Sequence, residues 1–240
     1  MIRSAYTVSL AYIVSLSSRV PKLNRKRVLT SAMAFADEHG LESLSMRKLG
    51  QRLGVEAMSL YKHVANKDDL LDGLIELALG EVELPQQDDG WRDGMRRRAR
   101  SARTMFARHP WAVSLVESRG NPGPTAMVYY DSVIGCLRRG GFDVAGAAHA
   151  FAVLDAFVFG FAVQERNLPF QKDEELAALG KEVLAQLPEE QFPYFSEMIR
   201  EHALQPGYSY AAEFEFGLEL ILDGLDRLRE KPPKNSTTAG

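Results

Sequence analysis

The chain has 240 residues, of which 45% are hydrophobic and 25% charged, with a formal net charge of −3. These values lie close to the globular average and argue against a disordered chain or a small disulfide scaffold. The length allows one large or two modest domains with a substantial core. Cys136 is the only cysteine, so the chain can form no intrachain disulfide and no zinc site built on several thiolates, which fits a reducing cytoplasm.

The charge is distributed unevenly along the chain. Residues 19–67 carry ten basic and four acidic side chains, a net charge of +6, whereas residues 68–240 carry a net charge of −10. A basic N-terminal part on an acidic remainder predicts a polyanionic partner for the first part only.

The two ends of the chain are not predicted to belong to a folded domain. Residues 6–16 are apolar and follow a single arginine, like a signal-peptide core, but no small-residue cleavage pattern follows. The run is also too short to span a bilayer. We therefore interpret residues 1–21 as a poorly ordered extension or the product of a misassigned start codon. Residues 231–240, KPPKNSTTAG, predict a disordered tail.

The first predicted helix begins after Asn24, a good N-cap residue. Leu23 and Val28 stand where a hydrophobic staple would pack. Apolar residues then recur at helical spacing until Gly40, which is placed to end the helix.

Residues 45–64, SMRKLGQRLGVEAMSLYKHV, predict two short helices joined by a tight turn. Ser45 is suited to cap the first helix, and Gly54 stands where a helix end favours positive φ. The pattern is typical of a helix-turn-helix whose second helix enters the DNA major groove. The alternative is an ordinary helical hairpin, which needs the same glycine turn and leucine spacing. The inward pairing of Leu60 with Val64 turns three side chains toward solvent: Met58, Tyr61 and Lys62.

A fourth, strongly apolar helix is predicted after Asn66, with Asp69 at the capping-box position. The stretch GLESLSMRKLGQRLGVEAMSLYKHVANKDDLL resembles the N-terminal domain of the TetR family of transcriptional regulators, over about residues 22–79. The resemblance implies a homodimeric, ligand-responsive regulator, most often a repressor. Its most specific residues are Leu60, Tyr61, His63, Asn66 and Lys67.

The resemblance also implies which side chains contact DNA. Ala57, Met58 and Ser59 would lie nearest the base edges, with Lys62 reaching a guanine or a phosphate. Because Lys62 replaces a bulky aromatic of the tetracycline repressors, and Met58 a proline, we expect a different operator. The remaining predicted contacts are mainly to phosphate: Lys22, Arg25, Arg27, Ser45, Arg47, Tyr61, His63 and Lys67. For Lys22, Arg25 and Arg27 the alternative is a minor-groove contact, and for Arg47 it is a contact to a base.

A polar stretch at residues 85–90 predicts a boundary between a DNA-binding domain at 22–82 and a regulatory domain at 90–230. Helices are predicted at 91–108, 125–139, 144–163, 173–187, 189–204 and 210–228. No strand is predicted, so the fold class is all-α. After Arg92, the first of these helices carries six further arginines, interpreted as a solvated or ion-paired face with a second nucleic-acid surface as the alternative: Arg96, Arg97, Arg98, Arg100, Arg103 and Arg108.

Residues 144–163 are nearly all apolar and long enough to be considered a membrane span, which keeps a membrane-associated adaptor as an alternative. We prefer a helix buried in a core or a subunit interface, because His149 and Asp155 would have no second span to shelter them. The segment DGWRDGMRRRARSARTMFARHPW and the later GGF resemble a tetracycline-repressor-like regulatory domain. In that group two late helices form an intersubunit four-helix bundle, which here implies a homodimer through residues 144–163 and 210–228.

A ligand pocket among these helices would be mainly apolar with a few polar groups. Asp155 is the predicted polar group, because a buried carboxylate needs a partner, whereas His149 is expected to be a buried histidine bonded to a carbonyl. For each aromatic candidate, plain core packing is the alternative role. The predicted pocket residues are Phe106, Trp111, Tyr129, Tyr130, Phe151, Asp155 and Phe159.

The sequence contains no phosphate-binding glycine loop, no G-x-S-x-G and no H-E-x-x-H, so an enzyme is not predicted. The histidine-centred metal motif of the tetracycline repressors is also missing, so no metal or cofactor is predicted. We expect an all-α, two-domain, cytoplasmic homodimer that binds near-palindromic operator DNA and is released by an unidentified small molecule. The alternative is a helical ligand-binding protein or enzyme in which the helix-turn-helix is only scaffold.

Overall fold

The structure, a computed structural model, describes residues 22–119, 123–170 and 172–230. Within these ranges the chain forms eleven α-helices and no strand, which confirms the all-α class. The chain divides into two compact units, the first ending at Leu74 and the second beginning at Ile75. This division falls inside the fourth helix, and the predicted domain bounds of 22–82 and 90–230 stay a prediction. The predicted extension at 1–21 and the predicted tail at 231–240 lie outside the described residues.

The first unit is built from short helices with locally encoded ends. The Asn24 side chain accepts a hydrogen bond from the Arg27 N–H at 2.8 Å, and Gly40 ends the first helix at φ 79°, so both predicted caps are confirmed. The apolar stripe of this helix is buried. The elements are α1 (Arg25–His39), a 3₁₀ turn (Leu41–Ser43), α2 (Met46–Leu53), α3 (Ala57–Leu60) and α4 (Lys67–Leu79).

The helix-turn-helix has the predicted caps but a shorter second helix. The Ser45 hydroxyl accepts the Lys48 N–H at 3.3 Å, and Gly54 takes the left-handed conformation at φ 69°. The prediction of a second helix reaching Val64 is wrong in its length, because α3 is a single turn. The Leu60 carbonyl accepts from the N–H groups of both His63 at 2.8 Å and Val64 at 3.0 Å, which tightens the chain into a turn.

Gly50 permits a close backbone approach between α2 and α3. A Cβ atom at this position would lie 2.8 Å from the Val55 carbonyl oxygen and 3.2 Å from the Ala57 nitrogen. Both neighbours are backbone atoms, so only glycine allows this spacing without displacement of α3. This role of Gly50 was not predicted from the sequence.

The second unit contains the long helices, most of which begin and end within a few residues of the predicted bounds. The apolar segment after Pro110, for which no helix was predicted, forms a short helix. The helix predicted over 189–204 starts only at Pro193, and its last turn is a π turn (Ile199–Ala203). The helices are α5 (Trp91–Arg108), α6 (Ala112–Ser118), α7 (Pro124–Arg139), α8 (Val144–Arg166), α9 (Asp173–Gln186), α10 (Pro193–Met198) and α11 (Tyr210–Glu230).

Helix α5 is the central helix of this unit and packs against α7, α8 and α11. The core is closed by fully buried apolar side chains from all four helices. Cys136 is 1% exposed, and burial raises the pKa of its thiol. The largest core side chains include Met95, Met105, Leu137, Leu154, Phe214 and Leu218.

The arginines of α5 form ion pairs with the acidic face of α11. Arg92 and Arg96 bind the Glu219 carboxylate at 2.8 and 2.5 Å, and Arg100 binds Glu215 at 2.7 Å. Hydrogen bonds from Arg96 and Arg92 lower the pKa of Glu219 to about 2. The interpretation of these arginines as an ion-paired face is therefore confirmed, except for Arg98, which is buried.

Helix α8 is buried on one side only. Leu154 and Val158 are 0% and 2% exposed, whereas Val144 and Val153 are 73% and 46% exposed. His149 is exposed, so the expectation of a buried histidine is wrong. By length and composition alone, α8 is the one helix among the described residues that is long and apolar enough to cross a membrane.

Candidate DNA-binding surface and ligand cavity

The turn of α3 presents a mixed surface to solvent. Met58 and Tyr61 are 74% and 43% exposed, whereas Leu60 and Val64 are 0% and 1% exposed, as the inward pairing predicted. Lys62 is exposed, and Ala57, Ser59 and His63 are half-buried. An apolar group, an aromatic ring and a cation therefore lie together on the exposed side of a segment whose other side is buried.

Several of the predicted phosphate contacts have their charge available. In the part of the chain that the structure describes, Lys22, Arg47, Lys62 and Lys67 are exposed and make no ion pair. The Ser45 hydroxyl accepts the capping bond but keeps its own O–H as a donor. Arg27 is half-buried. Exposed cations without an internal partner are the groups that bind the DNA backbone most readily.

Arg25 differs from these cations because it links three parts of the first unit. Its guanidinium donates to both oxygens of the Asp69 carboxylate, at 2.9 and 2.6 Å, and to the His63 carbonyl at 3.0 Å. Asp69 also accepts from the Ala65 N–H at 2.7 Å. Hydrogen bonds from Arg25 and Ala65 lower the pKa of Asp69. Arg25 thus holds α1 to the turn after α3 and to the start of α4, and its predicted DNA contact stays a prediction.

The second unit contains a cavity of about 430 Å³, within the range of small-molecule sites. Six of the seven predicted pocket residues line it: Phe106, Tyr129, Tyr130, Phe151, Asp155 and Phe159. The seventh, Trp111, is buried elsewhere, with its ring 5.7 Å from that of His109. The remaining lining is largely aliphatic and includes Leu79, Val82, Met105, Ile134 and Val158.

Aromatic rings form two walls of the cavity. The Phe106 and Phe159 ring centroids are 4.9 Å apart, and Tyr130 packs edge-on against Phe151 at 5.6 Å. Tyr129 continues the second wall, 5.7 Å from Tyr130. Such tilted and edge-on contacts are the favoured arrangements of aromatic side chains.

Arg98 places a charge in this apolar cavity. It is 1% exposed, and its Nη2 donates to the Tyr129 hydroxyl and to the Asp155 carboxylate. Its guanidinium carbon lies 4.8 Å from the Tyr129 ring centroid and 5.7 Å from that of Phe151. The partner that a buried Asp155 needs is therefore Arg98, and it was not singled out from the sequence. A usable signal existed: Arg98 lies three residues after Met95 in the apolar stripe of α5.

Burial dominates the protonation of these groups. Burial raises the pKa of Tyr129 to about 12 and raises the pKa of Asp155, although Arg98 opposes both shifts. For Arg98, burial lowers the pKa, but the charges and hydrogen bonds of Tyr129 and Asp155 together raise it above the usual value. Arg98 therefore keeps its positive charge inside the cavity.

A second, more open groove of about 600 Å³ runs along α5. Its walls are mainly charged side chains that pair with one another, such as Arg108 with Glu81 at 2.6 Å and Arg97 with Glu83 at 3.8 Å. Because a small-molecule site is mainly apolar, the aromatic cavity is the better candidate. Within the described ranges, no group of three His, Cys, Asp or Glu side chains is placed to hold a metal ion.

A helix-turn-helix unit followed by a helical unit with an apolar cavity defines a ligand-responsive DNA-binding regulator. The family description "Bacterial regulatory proteins, tetR family" matches residues 28–74, and "Tetracyclin repressor-like, C-terminal domain" matches residues 84–229. The chain belongs to the TetR family of transcriptional regulators.

Individual relatives agree with this assignment. The chain is 32% identical over 219 residues to the HTH-type transcriptional repressor DrrR1 of Streptomyces coeruleorubidus, covering 87% of this chain and 79% of that protein. It is 29% identical over 211 residues to the Escherichia coli tetracycline repressor protein class A from transposon 1721, covering 87% and 93%. The crystal structure of the Streptomyces coelicolor TetR family protein ActR in complex with actinorhodin is similar at a TM-score of 0.70 and 30% identity, covering 88% of this chain and 100% of that one.

Proposed function

We propose that this protein is a homodimeric transcriptional repressor that binds a near-palindromic operator and is released by a small molecule. The observation that carries the proposal is the exposed surface of Met58, Tyr61 and Lys62 on a turn whose other side is fully buried. The relative DrrR1 is named a repressor, and ActR was crystallised with a small molecule. We propose that it acts in the cytoplasm, without catalytic activity.

The DNA contacts that we propose fall into two groups. Ala57, Met58 and Ser59 lie at the base edges, where the first two suit a thymine methyl and the hydroxyl can bond a base. The other residues bind mainly phosphates, and Lys62 and Arg47 have a base as their alternative: Lys22, Arg25, Arg27, Ser45, Arg47, Tyr61, Lys62, His63 and Lys67.

The outward faces of α8 and α11 support a dimer. Phe216 and Leu220 of α11 are 64% and 55% exposed, and Val144 and Val153 of α8 are also exposed. Exposed apolar side chains on two helices that pack together are typical of an interaction site. We propose that two copies bury these faces in an isologous four-helix bundle. The two recognition segments would then contact successive major grooves, about 34–36 Å apart.

Helix α4 is the element that we propose as the switch. At its start, Asp69 is bonded to Arg25, and near its end Glu76 accepts the Thr125 N–H at 2.9 Å, at the N-terminus of α7. Tyr129 and Tyr130 of α7 line the cavity, as does Leu79 of α4. A ligand that displaces α7 would therefore displace α4 and change the separation of the recognition segments. Coupling of this kind is typically about 1–3 kcal/mol, a 5–150-fold change in affinity.

The proposal is tested by selecting bound duplexes from a random DNA pool with the purified full-length protein at two salt concentrations. An enriched near-palindrome whose binding weakens steeply with salt supports the repressor and identifies its operator. No enrichment, or enrichment of sites without two-fold symmetry, contradicts the proposal. In that case the helix-turn-helix is only scaffold, and the function lies in the second unit.

A further inference from the structure

The guanidinium of Arg98 has unused hydrogen-bonding capacity inside the cavity. Its Nη2 serves Tyr129 and Asp155, but Nε and Nη1 have no hydrogen-bond partner among the described residues, although the side chain is 1% exposed. A guanidinium carries five N–H donors, so about three of them point to no protein acceptor. Buried donors are almost always paired in folded proteins.

The surroundings of Arg98 indicate where an acceptor would come from. Arg98 lines the same cavity as the aromatic rings, and Asp155 accepts its hydrogen bond from Nη2, not from Nε or Nη1. Apart from the Tyr130 hydroxyl, the remaining side chains of the lining are aliphatic or aromatic and have no oxygen to offer. The missing acceptor is therefore expected on a molecule that fills the cavity.

We infer that the cavity binds an aromatic carboxylate, with its rings between the two aromatic walls and its oxygens on the free N–H groups of Arg98. The inference rests on the proposed function only in taking this cavity as the effector site. Phe106 with Phe159, and Tyr130 with Phe151, offer ring faces and edges to a planar ligand. An anionic oxygen is preferred over a neutral one because it adds Coulomb attraction to the guanidinium in a site from which water is largely excluded.

Three matched probes separate the two features of this ligand class. Isothermal titration of the full-length protein would compare 2-naphthoate with 2-naphthamide, which lacks the charge, and with cyclohexanecarboxylate, which lacks the aromatic rings. We expect 2-naphthoate to bind at least about 10-fold more tightly than either, as one or two charge-assisted hydrogen bonds and a stacked ring would provide.

A double variant removes the charge without leaving a lone buried ion, and a second variant keeps the charge. In Arg98→Met/Asp155→Leu both partners become apolar, and we expect 2-naphthoate to lose at least about 10-fold in affinity while 2-naphthamide changes by less than about 3-fold. Arg98→Lys, which keeps the charge but loses the planar donors, gives a second test that does not depend on folding of the double variant, and it should weaken 2-naphthoate alone. Arg100→Met is the matched control, because Arg100 is on the same helix but pairs with Glu215 at the surface.

The outcomes separate this inference from the proposed function. Equal affinity for the acid and the amide, unchanged affinity in the double variant, or no binding of any probe overturns the aromatic carboxylate. Binding to the selected operator is measured in parallel by fluorescence anisotropy. If 2-naphthoate binds through Arg98 but leaves operator affinity unchanged, the ligand assignment stands and the release mechanism is refuted.

Discussion

Removing Asp155 alone should destabilise the second unit far more than removing both members of its buried pair with Arg98. The side chains are 16% and 1% exposed, so the pair is almost dry. Asp155→Leu leaves the guanidinium with only the Tyr129 hydroxyl, and breaking a buried pair in this way costs about 3–5 kcal/mol. Arg98→Met/Asp155→Leu leaves no lone charge, only the Tyr129 hydroxyl without its partner, and should cost about 1–2 kcal/mol.

The single variant Arg98→Met should depend on pH. Burial already raises the pKa of Asp155, and without Arg98 the pKa rises further. Between the pKa of the unfolded chain and the higher folded value, the native state holds a proton that the unfolded state has lost. The free energy of unfolding therefore decreases as the pH rises through this window. Arg98→Met should be less destabilising at about pH 5 than at about pH 8.

The assay is urea unfolding followed by tryptophan emission, because Trp91 and Trp111 are the only tryptophans and both lie in the second unit. Protomer concentration must be equal for all variants, since dimer stability depends on it. The reasoning would be refuted if the double variant lost as much free energy of unfolding as the two single variants combined. A loss below about 1 kcal/mol for Asp155→Leu would also refute it.

Four further predictions concern other parts of the chain. Lys62→Ala and Tyr61→Ala should each weaken operator binding by about 1–3 kcal/mol in anisotropy titrations if the side chain makes a specific contact; wild-type affinity in either would count against the proposed surface. Gly50→Ala should destabilise the first unit by about 1–2 kcal/mol, because the clash outweighs the gain in helix propensity. Faster hydrogen exchange in α2 and α3 would show it, and unchanged exchange would contradict it. Glu76→Ala should bring operator affinities measured with and without 2-naphthoate closer together; an unchanged ratio would exclude Glu76 from the switch. The pKa of Glu219 is about 2, so its ionised form stabilises the folded state at any pH above the ordinary glutamate pKa. This contribution to the free energy of unfolding is lost as the pH falls toward 2. Acid unfolding of Glu219→Gln should lack this small component, below about 1 kcal/mol for a partly exposed pair.

Features with a local cause could be predicted from the sequence. Asn24, Ser45 and Gly54 act on backbone groups within three or four residues, so their side-chain type and position are sufficient. The length of α3 was not predictable in the same way. Residues 57–64 have a helical apolar pattern, but the Leu60 carbonyl accepts two bonds and ends the helix after one turn.

Pairings between distant residues were not accessible from the sequence. Arg98 and Asp155 are 57 positions apart, and Arg25 and Asp69 are 44 positions apart. The sequence could therefore predict that Asp155 is buried, but not which residue pairs with it. For the aromatic residues, composition predicts burial but not which ring faces a cavity. Trp111 and Phe106 are both buried, yet only Phe106 lines the cavity.

Two arginine ion pairs within the first unit affect how its DNA binding should be measured. Arg25 is bound to Asp69 and Arg52 to Glu38, each at 2.6 Å, so these guanidiniums already have their counter-charge in the protein. On binding DNA, only cations that replace condensed ions along the phosphates release them, and the slope of log affinity against log salt counts those releases. The number of basic residues in this unit is therefore larger than the number of ions that each protomer displaces. A slope smaller than the number of lysines and arginines would reflect these internal pairs.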